Sequence, residues 1–326
     1  MSWIDKIIGI DNKDFDKISL EIFEYQYHNV SIYKAYCDLR KKNPSTVQTI
    51  TDIPFLPIHF FKTHTILDQN KSCKFVFESS TTTGQTPSKH FVADEELYKA
   101  SFIHTFEKRY GKTENFAILG LLPSYLERGN SSLVYMVESL IKKSGNELNG
   151  FFLNDFEKLS SVLKTLEDAK TPTILFGVSY ALLDFAAKHP MPLRHTEIIE
   201  TGGMKGKRKE MTRTEIHYQL KEAFELKNIG SEYGMTELLS QAYLNSNNCF
   251  ESPAWMKILI RDTYSPTEYE DNLKIGGINI IDLANLHSCA FIETSDIGKL
   301  SGDASFEVLG RMGYADIRGC NLMYEG

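Results

Sequence analysis

The chain has 326 residues, 42% of them hydrophobic, enough for one large domain or two ordinary ones with a substantial core. Its 36 Lys and Arg against 43 Asp and Glu leave a net charge of −7, which argues against a nucleic-acid backbone as the main partner but not against a nucleotide held locally. Asp5 and Lys6 exclude a signal-peptide reading, the longest apolar run is broken by Ser179, Tyr180 and Asp184 and is too polar to span a membrane, and five scattered cysteines without a C-x-x-C pair read as reduced thiols of a cytoplasmic protein.

In chain order, Phe15, Ile18, Ile22, Phe23, Tyr25, Ile32 and Tyr36 recur near helical spacing and predict an amphipathic helix over 14–40. Pro44, Pro54 and Pro57 then mark a stiff, non-helical connection, and its tail His59-Phe60-Phe61-Lys62 is expected to pack beneath a hydroxyl-rich loop near residue 80. Phe75-Val76-Phe77 reads as a strand leading into that loop, Glu78-Ser79-Ser80-Thr81-Thr82-Thr83-Gly84-Gln85-Thr86-Pro87-Ser88-Lys89. Such a loop offers hydroxyls, backbone N–H groups and an ammonium together, a donor set suited to phosphate oxygens. It lacks the G-x-x-x-x-G-K-[ST] spacing, and taken alone it reads equally as a polar, solvated surface loop.

Helices are predicted over 97–109, 131–143, 155–168 (with Asp155 as N-cap), 180–188 and 212–224, and strands over 116–122, 173–178, 197–200 and 228–232. That alternation predicts an α/β fold with mainly parallel sheets covered by helices. Beyond about residue 250, short strands over 257–261, 277–282, 290–293 and 306–309 predict a more antiparallel, β-rich subdomain. No repeat or low-complexity linker interrupts the chain, so no hinge between independent domains is expected. The resulting division is a core over 1–310 (helical start 1–70, α/β 71–250, β-rich 251–310) and a tail over 311–326.

Four further stretches stand out: Glu200-Thr201-Gly202-Gly203-Met204-Lys205-Gly206, Glu232-Tyr233-Gly234-Met235-Thr236-Glu237, Ile292-Glu293-Thr294-Ser295-Asp296, and Leu309-Gly310-Arg311 leading to Ile317-Arg318-Gly319-Cys320-Asn321. Each has a use around a nucleotide. A Gly-Gly pair lets backbone approach a flat base, Tyr233 can stack on it, and Thr236 can hydrogen-bond a phosphate. Glu237 is a hard carboxylate suited to Mg²⁺, and Asp296 with Arg311 can hold ribose hydroxyls and the phosphate side. Each alone is also an ordinary element: a turn, a threonine-capped helix start, a turn after a strand. It is their joint occurrence in this order that is hard to obtain by chance.

With these motifs the chain resembles the adenylate-forming superfamily of acyl-CoA synthetases and non-ribosomal adenylation domains, which carries [ST]-[ST]-G-[ST]-T-G-x-P-K, Y-G-x-T-E, a T-G-D-like aspartate and G-R-x-D. Within it, Ile53-Pro54-Phe55-Leu56-Pro57 through Phe61-Lys62, Gly202 to Gly206 and Arg318-Gly319-Cys320-Asn321-Leu322 resemble the acyl-protein synthetases of bacterial luminescence fatty-acid reductase complexes. The resemblance implies ATP and Mg²⁺ as cofactors and a carboxylic acid, fatty acids included, as substrate. It implies a phosphate loop of Ser79, Ser80, Thr81, Thr82, Thr83 and Gly84 with Lys89. Adenine would meet Gly202, Gly203 and Tyr233 with Gly234 and Met235 alongside, phosphate Thr236, Mg²⁺ Glu237, and ribose Asp296 and Arg311. It also implies Cys320 as acyl acceptor and an acyl-accepting reductase or transferase as partner. A near-terminal thiol beside Arg311 and Arg318 would favour its thiolate; without the resemblance Cys320 reads as an inert tail residue.

Three departures matter. Thr81 occupies the family's first loop glycine, with the P-K pair stretched to Pro87-Ser88-Lys89, and Ser295 stands where glycine is common. The chain also stops about where that family's C-terminal lid would begin, so the lid is expected to be absent, and Lys89, Lys205 and Lys207 are the alternatives for its lysine. Gly177-Val178-Ser179-Tyr180-Ala181 is an incomplete nucleophile elbow, which in the adenylate reading would line an apolar acyl pocket formed around 116–185. His59 and His64 lack metal spacing, and His287 and Cys289 read as structural strand residues. The alternatives are a phenylacetate-type carboxylate–CoA ligase and a nucleotide-binding module without catalysis.

Overall fold

The computed structural model describes residues 2–80, 86–123, 130–202, 211–263, 269, 275–302 and 305–312, and elements are numbered over these. Three helices begin the chain, α1 (Trp3–Ile8), α2 (Phe15–Asn29) and α3 (Ser31–Leu39). The single helix expected over 14–40 is therefore two. Val30 between them is extended (φ −111°, ψ 96°) and buried, its β-branched side chain committed to the core rather than to a helical turn. The face read from the sequence is the buried one: Phe15, Ile18, Ile22 and Phe23 all lie in the core. Gln26 on the same face is buried too, because its amide donates to the carbonyls of Asn285 (2.8 Å) and Leu286 (3.0 Å) and accepts from Ala290 N (3.0 Å).

The proline-rich connection contributes β1 (Leu56–Pro57) and the short α4 (Phe60–Thr63). Two antiparallel strands come next, β2 (Phe75–Glu78) and β3 (Lys89–Val92), so the hydroxyl loop is the tip of a hairpin. Ser79 N donates to Ser88 O (3.0 Å) and Ser88 N to Ser79 Oγ (2.8 Å), closing its base. Thr81, Thr82, Thr83 and Gly84 lie outside the described residues. Phe61 of the aromatic tail packs edge-on to His90 of β3, 5.6 Å between centroids; its expected packing beneath the loop itself falls on residues outside those described.

Then come α5 (Glu95–Tyr110), β4 (Ala117–Leu121), α6 (Ser132–Ser144), β5 (Gly150–Phe151), α7 (Phe156–Asp168), β6 (Thr173–Val178), α8 (Ser179–Lys188), β7 (Thr196–Thr201), α9 (Arg213–Phe224) and β8 (Gly230–Tyr233). Local caps explain the starts: Asp155 accepts from Lys158 N, as anticipated, and Thr212 forms a capping box with Glu215. The remaining strands are β9 (Ala242–Leu244), β10 (Phe250–Glu251), β11 (Met256–Arg261), β12 (Gly276–Asp282), β13 (Phe291–Leu300) and β14 (Ser305–Arg311).

Strand order is β11-β12-β13-β14-β10-β9-β8-β7-β6-β4-β5, with β1 added in parallel to β13, twelve strands in one sheet. From β8 to β5 the strands are parallel, and from β8 to β11 antiparallel. Both halves read from the sequence are present, but they are one continuous sheet. β4 and β6 are buried along their whole length, as strands covered by helices on both faces must be. Among the described residues no helix is long and apolar enough to cross a membrane.

The β13–β14 pairing has an irregularity that aims the site. Ile297 pairs with Gly310 but Gly298 with Val308, so Leu309 is an extra residue and Asp296 falls opposite Arg311. Gly298 permits this close approach: a Cβ there would lie 2.3 Å from Glu307 O and 2.7 Å from Ile278 Cδ1, whereas one on Gly310 meets nothing within 4 Å. Gly298→Ala should therefore lower unfolding free energy by about 2 kcal/mol in urea titrations, while Gly310→Ala stays within about 0.5 kcal/mol of wild type. Equal midpoints for the two variants would remove the packing argument.

Candidate active site

The carboxyl ends of β6, β7 and β8 lie side by side, and in open α/β sheets this edge is where ligands sit. Thr201 of β7 pairs with Glu232 of β8, so Gly202 and Tyr233 come one residue beyond the paired positions. Gly202 has φ 72°, a conformation natural to glycine, and is exposed. Gly203 and the basic run Lys205 to Lys209 lie outside the described residues.

Tyr233, Asp296 and Arg311, distant in sequence, meet here. The Tyr233 hydroxyl donates to Asp296 Oδ2 (2.8 Å), and Arg311 Nε donates to Asp296 Oδ1 (2.9 Å). Asp296 and Tyr233 are buried while Arg311 is exposed. The Tyr233 ring is held against Phe306 and Phe250, with centroids 5.3 and 5.6 Å away. Burial, then the Asp296 charge, pushes its phenol well above the ordinary range, so it stays a donor. The Asp296 carboxylate in turn strengthens the protonation of Arg311.

Glu237 occupies the turn after β8, where Leu238 N closes onto Met235 O (3.1 Å), so the Y-G-x-T-E segment is a turn and not a helix start. Glu237 is 6% exposed. Burial raises its pKa, while a hydrogen bond from Ser88 and the charges of Arg311 and Lys62 pull the other way. Thr236 and Met235 are half-buried and Gly234 exposed. The Thr236 carbonyl accepts from His90 Nδ1 (2.8 Å), and His90 Nε2 meets Ser288 Oγ (3.0 Å). Burial lowers the His90 pKa to about 4, so the ring is neutral and, with Nδ1 facing a carbonyl, carries its proton there. The turn is further anchored by Asp282, which accepts from Leu239 N (2.9 Å), Ser240 N (3.0 Å) and Ser240 Oγ (2.6 Å), and by Asn285 Nδ2, which donates to Glu237 O (2.9 Å).

The structure thus brings Tyr233, Glu237, Asp296 and Arg311 together as the sequence suggested, and adds Ser88, His90, Lys62 and Asp282. Ser79 is spent on closing the hairpin, Ser80 is half-buried beside it, and Lys89 pairs with Glu78 (3.3 Å). Cys320 lies outside the described residues. Ser179 is buried, its hydroxyl on Glu200 and the Gly202 carbonyl rather than on a histidine, as no nucleophile would be. The side chains of β4, β6 and much of α8, expected around an acyl pocket, are core. His287 and Cys289 fall in the turn before β13 and not on a strand. Instead His287 Nδ1 lies 3.1 Å from the Tyr25 hydroxyl, which donates to Asp68.

Among the described residues no group of three or more His, Cys, Asp or Glu could hold a metal by itself. Glu237 nonetheless suits Mg²⁺, which is commonly held by one or two carboxylates with substrate phosphates and waters. A buried carboxyl raised in pKa without a cation is what a divalent ion would convert to a bound carboxylate.

A second acid beside the edge gives a pH test. Glu232 accepts from the Thr201 hydroxyl, and burial, with the nearby Glu200, pushes its pKa up to about 7. Between the ordinary value of 4.5 and about 7 the unfolded chain releases this proton and the folded chain retains it, so folded stability falls as pH rises through that window. Glu232→Gln removes the penalty. Its stability relative to wild type should rise by up to ~1.4 kcal/mol per pH unit across the window in urea titrations, and a difference independent of pH would refute the assignment.

Residues 9–102 match the family described as acyl-protein synthetase, LuxE. A comparison with curated protein sequences finds no match. Among solved structures, ATP-bound MatB from Rhodopseudomonas palustris shares 16% identity at a TM-score of 0.54, over 72% of this chain and 47% of that one. The amide bond synthetase McbA from Marinactinospora thermotolerans shares 17% at 0.51, over 72% and 48%. This chain therefore spans about half the length of MatB and McbA. 2-Hydroxyisobutyryl-CoA ligase, in complex with its acyl-AMP and CoA, shares 11% at 0.65, over 97% and 74%. The chain accordingly has the fold of adenylate-forming enzymes over nearly its whole length and matches the acyl-protein synthetase pattern over residues 9–102.

Proposed function

We propose that the protein activates a carboxylic acid with ATP and transfers the acyl group to the thiol of Cys320, and onward to a partner protein. The observation that carries this reading is the convergence of Tyr233, Glu237, Asp296 and Arg311 at the carboxyl edge of the sheet, in an adenylate-forming fold. In the first step a carboxylate oxygen of the acid attacks the α-phosphorus, the bond to the β-phosphate oxygen breaks, and pyrophosphate leaves. In the second, the Cys320 thiolate attacks the acyl carbonyl, the bond to the AMP oxygen breaks, and AMP leaves with the electron pair.

The chain's residues divide this work. Asp296, already oriented by Tyr233 and Arg311, accepts from ribose hydroxyls. In this reading the exposed Arg311 would meet phosphate charge, and Gly202 with Gly203 would present backbone to the base. Thr236 and the stretch from Ser79 to Gly84, with Lys89, would serve the phosphates once Lys89 exchanges its Glu78 partner for them. Glu237 would hold Mg²⁺, which when bound neutralises the phosphate oxygens and the departing pyrophosphate. Burial raises the thiol of Cys37 to about 12 and that of Cys289 higher still, which leaves both poor nucleophiles. The match of residues 9–102 to acyl-protein synthetases favours a protein thiol over CoA as acceptor.

Acid-dependent ATP–pyrophosphate exchange across acid chain lengths tests the first step. Wild type should exchange with at least one acid, and Glu237→Gln should fold and lose about 100-fold or more of that rate. Unchanged exchange in Glu237→Gln would remove the metal role. For the second step, wild type given radiolabelled acid and ATP should carry label released by neutral hydroxylamine, and Cys320→Ser should keep exchange and hold no label. Label persisting in Cys320→Ser, or turnover only with CoA, overturns self-acylation, the latter in favour of a carboxylate–CoA ligase.

A further inference from the structure

A buried hydrogen-bond chain lies behind Gly202, and its proton count is informative. Ser179, at the start of α8, contacts both Glu200 Oε1 and the Gly202 carbonyl through its single hydroxyl. Ser231 of β8 contacts both Glu200 Oε2 (3.1 Å) and His217 Nε2 of α9 (2.9 Å). Ser179, Ser231, His217 and Glu200 are all buried. Four contacts each need one proton. Among the described residues the two hydroxyls and a neutral imidazole supply three, and the one remaining source is the acid proton of Glu200.

We propose that Glu200 is held in the folded protein as the neutral carboxylic acid, and that through Ser179 it is the positioning residue for the Gly202 carbonyl. Only one arrangement then satisfies every contact. His217 Nε2–H donates to Ser231, Ser231 donates to Glu200 Oε2, the acid proton on Oε1 donates to Ser179, and Ser179 donates to Gly202 O. With an ionised Glu200 the Ser179 proton must choose between the carboxylate and the carbonyl, the carboxylate wins by charge, and Gly202 O is released.

The surroundings agree. Burial raises the Glu200 pKa against the opposing pulls of its serine bonds and Arg213, and burial also lowers His217 to about 4, keeping it neutral. Among the described residues the charged and titratable groups facing Glu200 are Arg213 and His217 from α9 and Glu232 from β8. Arg213 is directed elsewhere, its guanidinium on Asn248 O (3.3 Å) and 4.8 Å from the Phe250 ring centre. Glu232 is a second acid close by, and two charges on this pair would repel each other. The consequence for ligand binding rests on the nucleotide reading above: a fixed Gly202 carbonyl presets the backbone that would meet the base.

Infrared difference spectra of wild type minus Glu200→Gln at neutral pH should show the carbonyl band of a protonated carboxylic acid. No such band overturns the proposal. Amide exchange of the peptide carrying Thr201 and Gly202 reads the positioning. Glu200→Gln, whose amide both donates and accepts, should exchange as wild type does, while Ser179→Ala and Glu200→Ala should exchange at least about fivefold faster. If Glu200→Gln exchanges as fast as Ser179→Ala, the acid proton is not what holds Gly202. Mg·ATP titrations separate the two layers: Glu200→Gln should bind as wild type does and Ser179→Ala about fivefold more weakly. A wild type that binds no Mg·ATP refutes the nucleotide reading, while the infrared band and the exchange rates still decide the clamp.

Discussion

The structure depends on taking carboxyl groups out of water without leaving them unpartnered. Asp282 shows how. It is fully buried and takes donors from Leu239, Ser240 and Ala284, yet burial still pushes its pKa up to about 6. Three of those donors are backbone N–H groups and the fourth is the Ser240 hydroxyl, so the acid cannot be accommodated unless the segment after Glu237 is folded onto β12. Replacing one partner would leave a buried acceptor short, which is far more damaging than the modest net value of one hydrogen bond. Ser240 extends the network to the Trp255 indole and to Ser101 of α5. The turn that carries Glu237 is thereby tied to a helix on one side and to the antiparallel half of the sheet on the other.

Around the candidate site the same constraint recurs with different outcomes. Asp296 is compensated by a guanidinium and a phenol, Glu232 by a threonine hydroxyl, and Glu237 by Ser88 with more distant cations. Glu232 and Glu237, the least compensated of these acids, are both raised in pKa by burial. Acids held short of full compensation are a common property of sites built for a charged ligand.

Much of the fold was legible because its elements are long and its caps local. The helices now called α5 to α9 and the strands β4, β6 and β7 announce themselves by apolar periodicity within one window, and Asp155 by its residue type at a helix start; the capping box of Thr212 with Glu215 was not read from the sequence. The break at Val30 was not legible, since the helical pattern continues through it and only burial decides. The strands β3, β5, β9 and β10 span two to four residues, too few for any period to show. At the site, Tyr233, Glu237, Asp296 and Arg311 were readable as motifs, but their supports were not. His90 finds Thr236 across 146 positions and Asp282 finds Ser240 across 42, and no local pattern encodes such pairs. Likewise the bulge at Leu309 that puts Asp296 opposite Arg311 is a matter of register between strands, invisible in either strand alone.

Gln26 and β1 have a consequence for the order of assembly. Gln26 is bonded to Leu286 across 260 positions, and Leu56 pairs with Ile292. At synthesis rates of about 5–20 residues per second, the first helices must wait tens of seconds on the ribosome for the strand and turn that complete them. During that wait an amide destined for burial is satisfied by solvent, and an apolar helix face stays uncovered. The nascent chain is therefore exposed to chaperones, and to misassociation, through the uncovered face of α2.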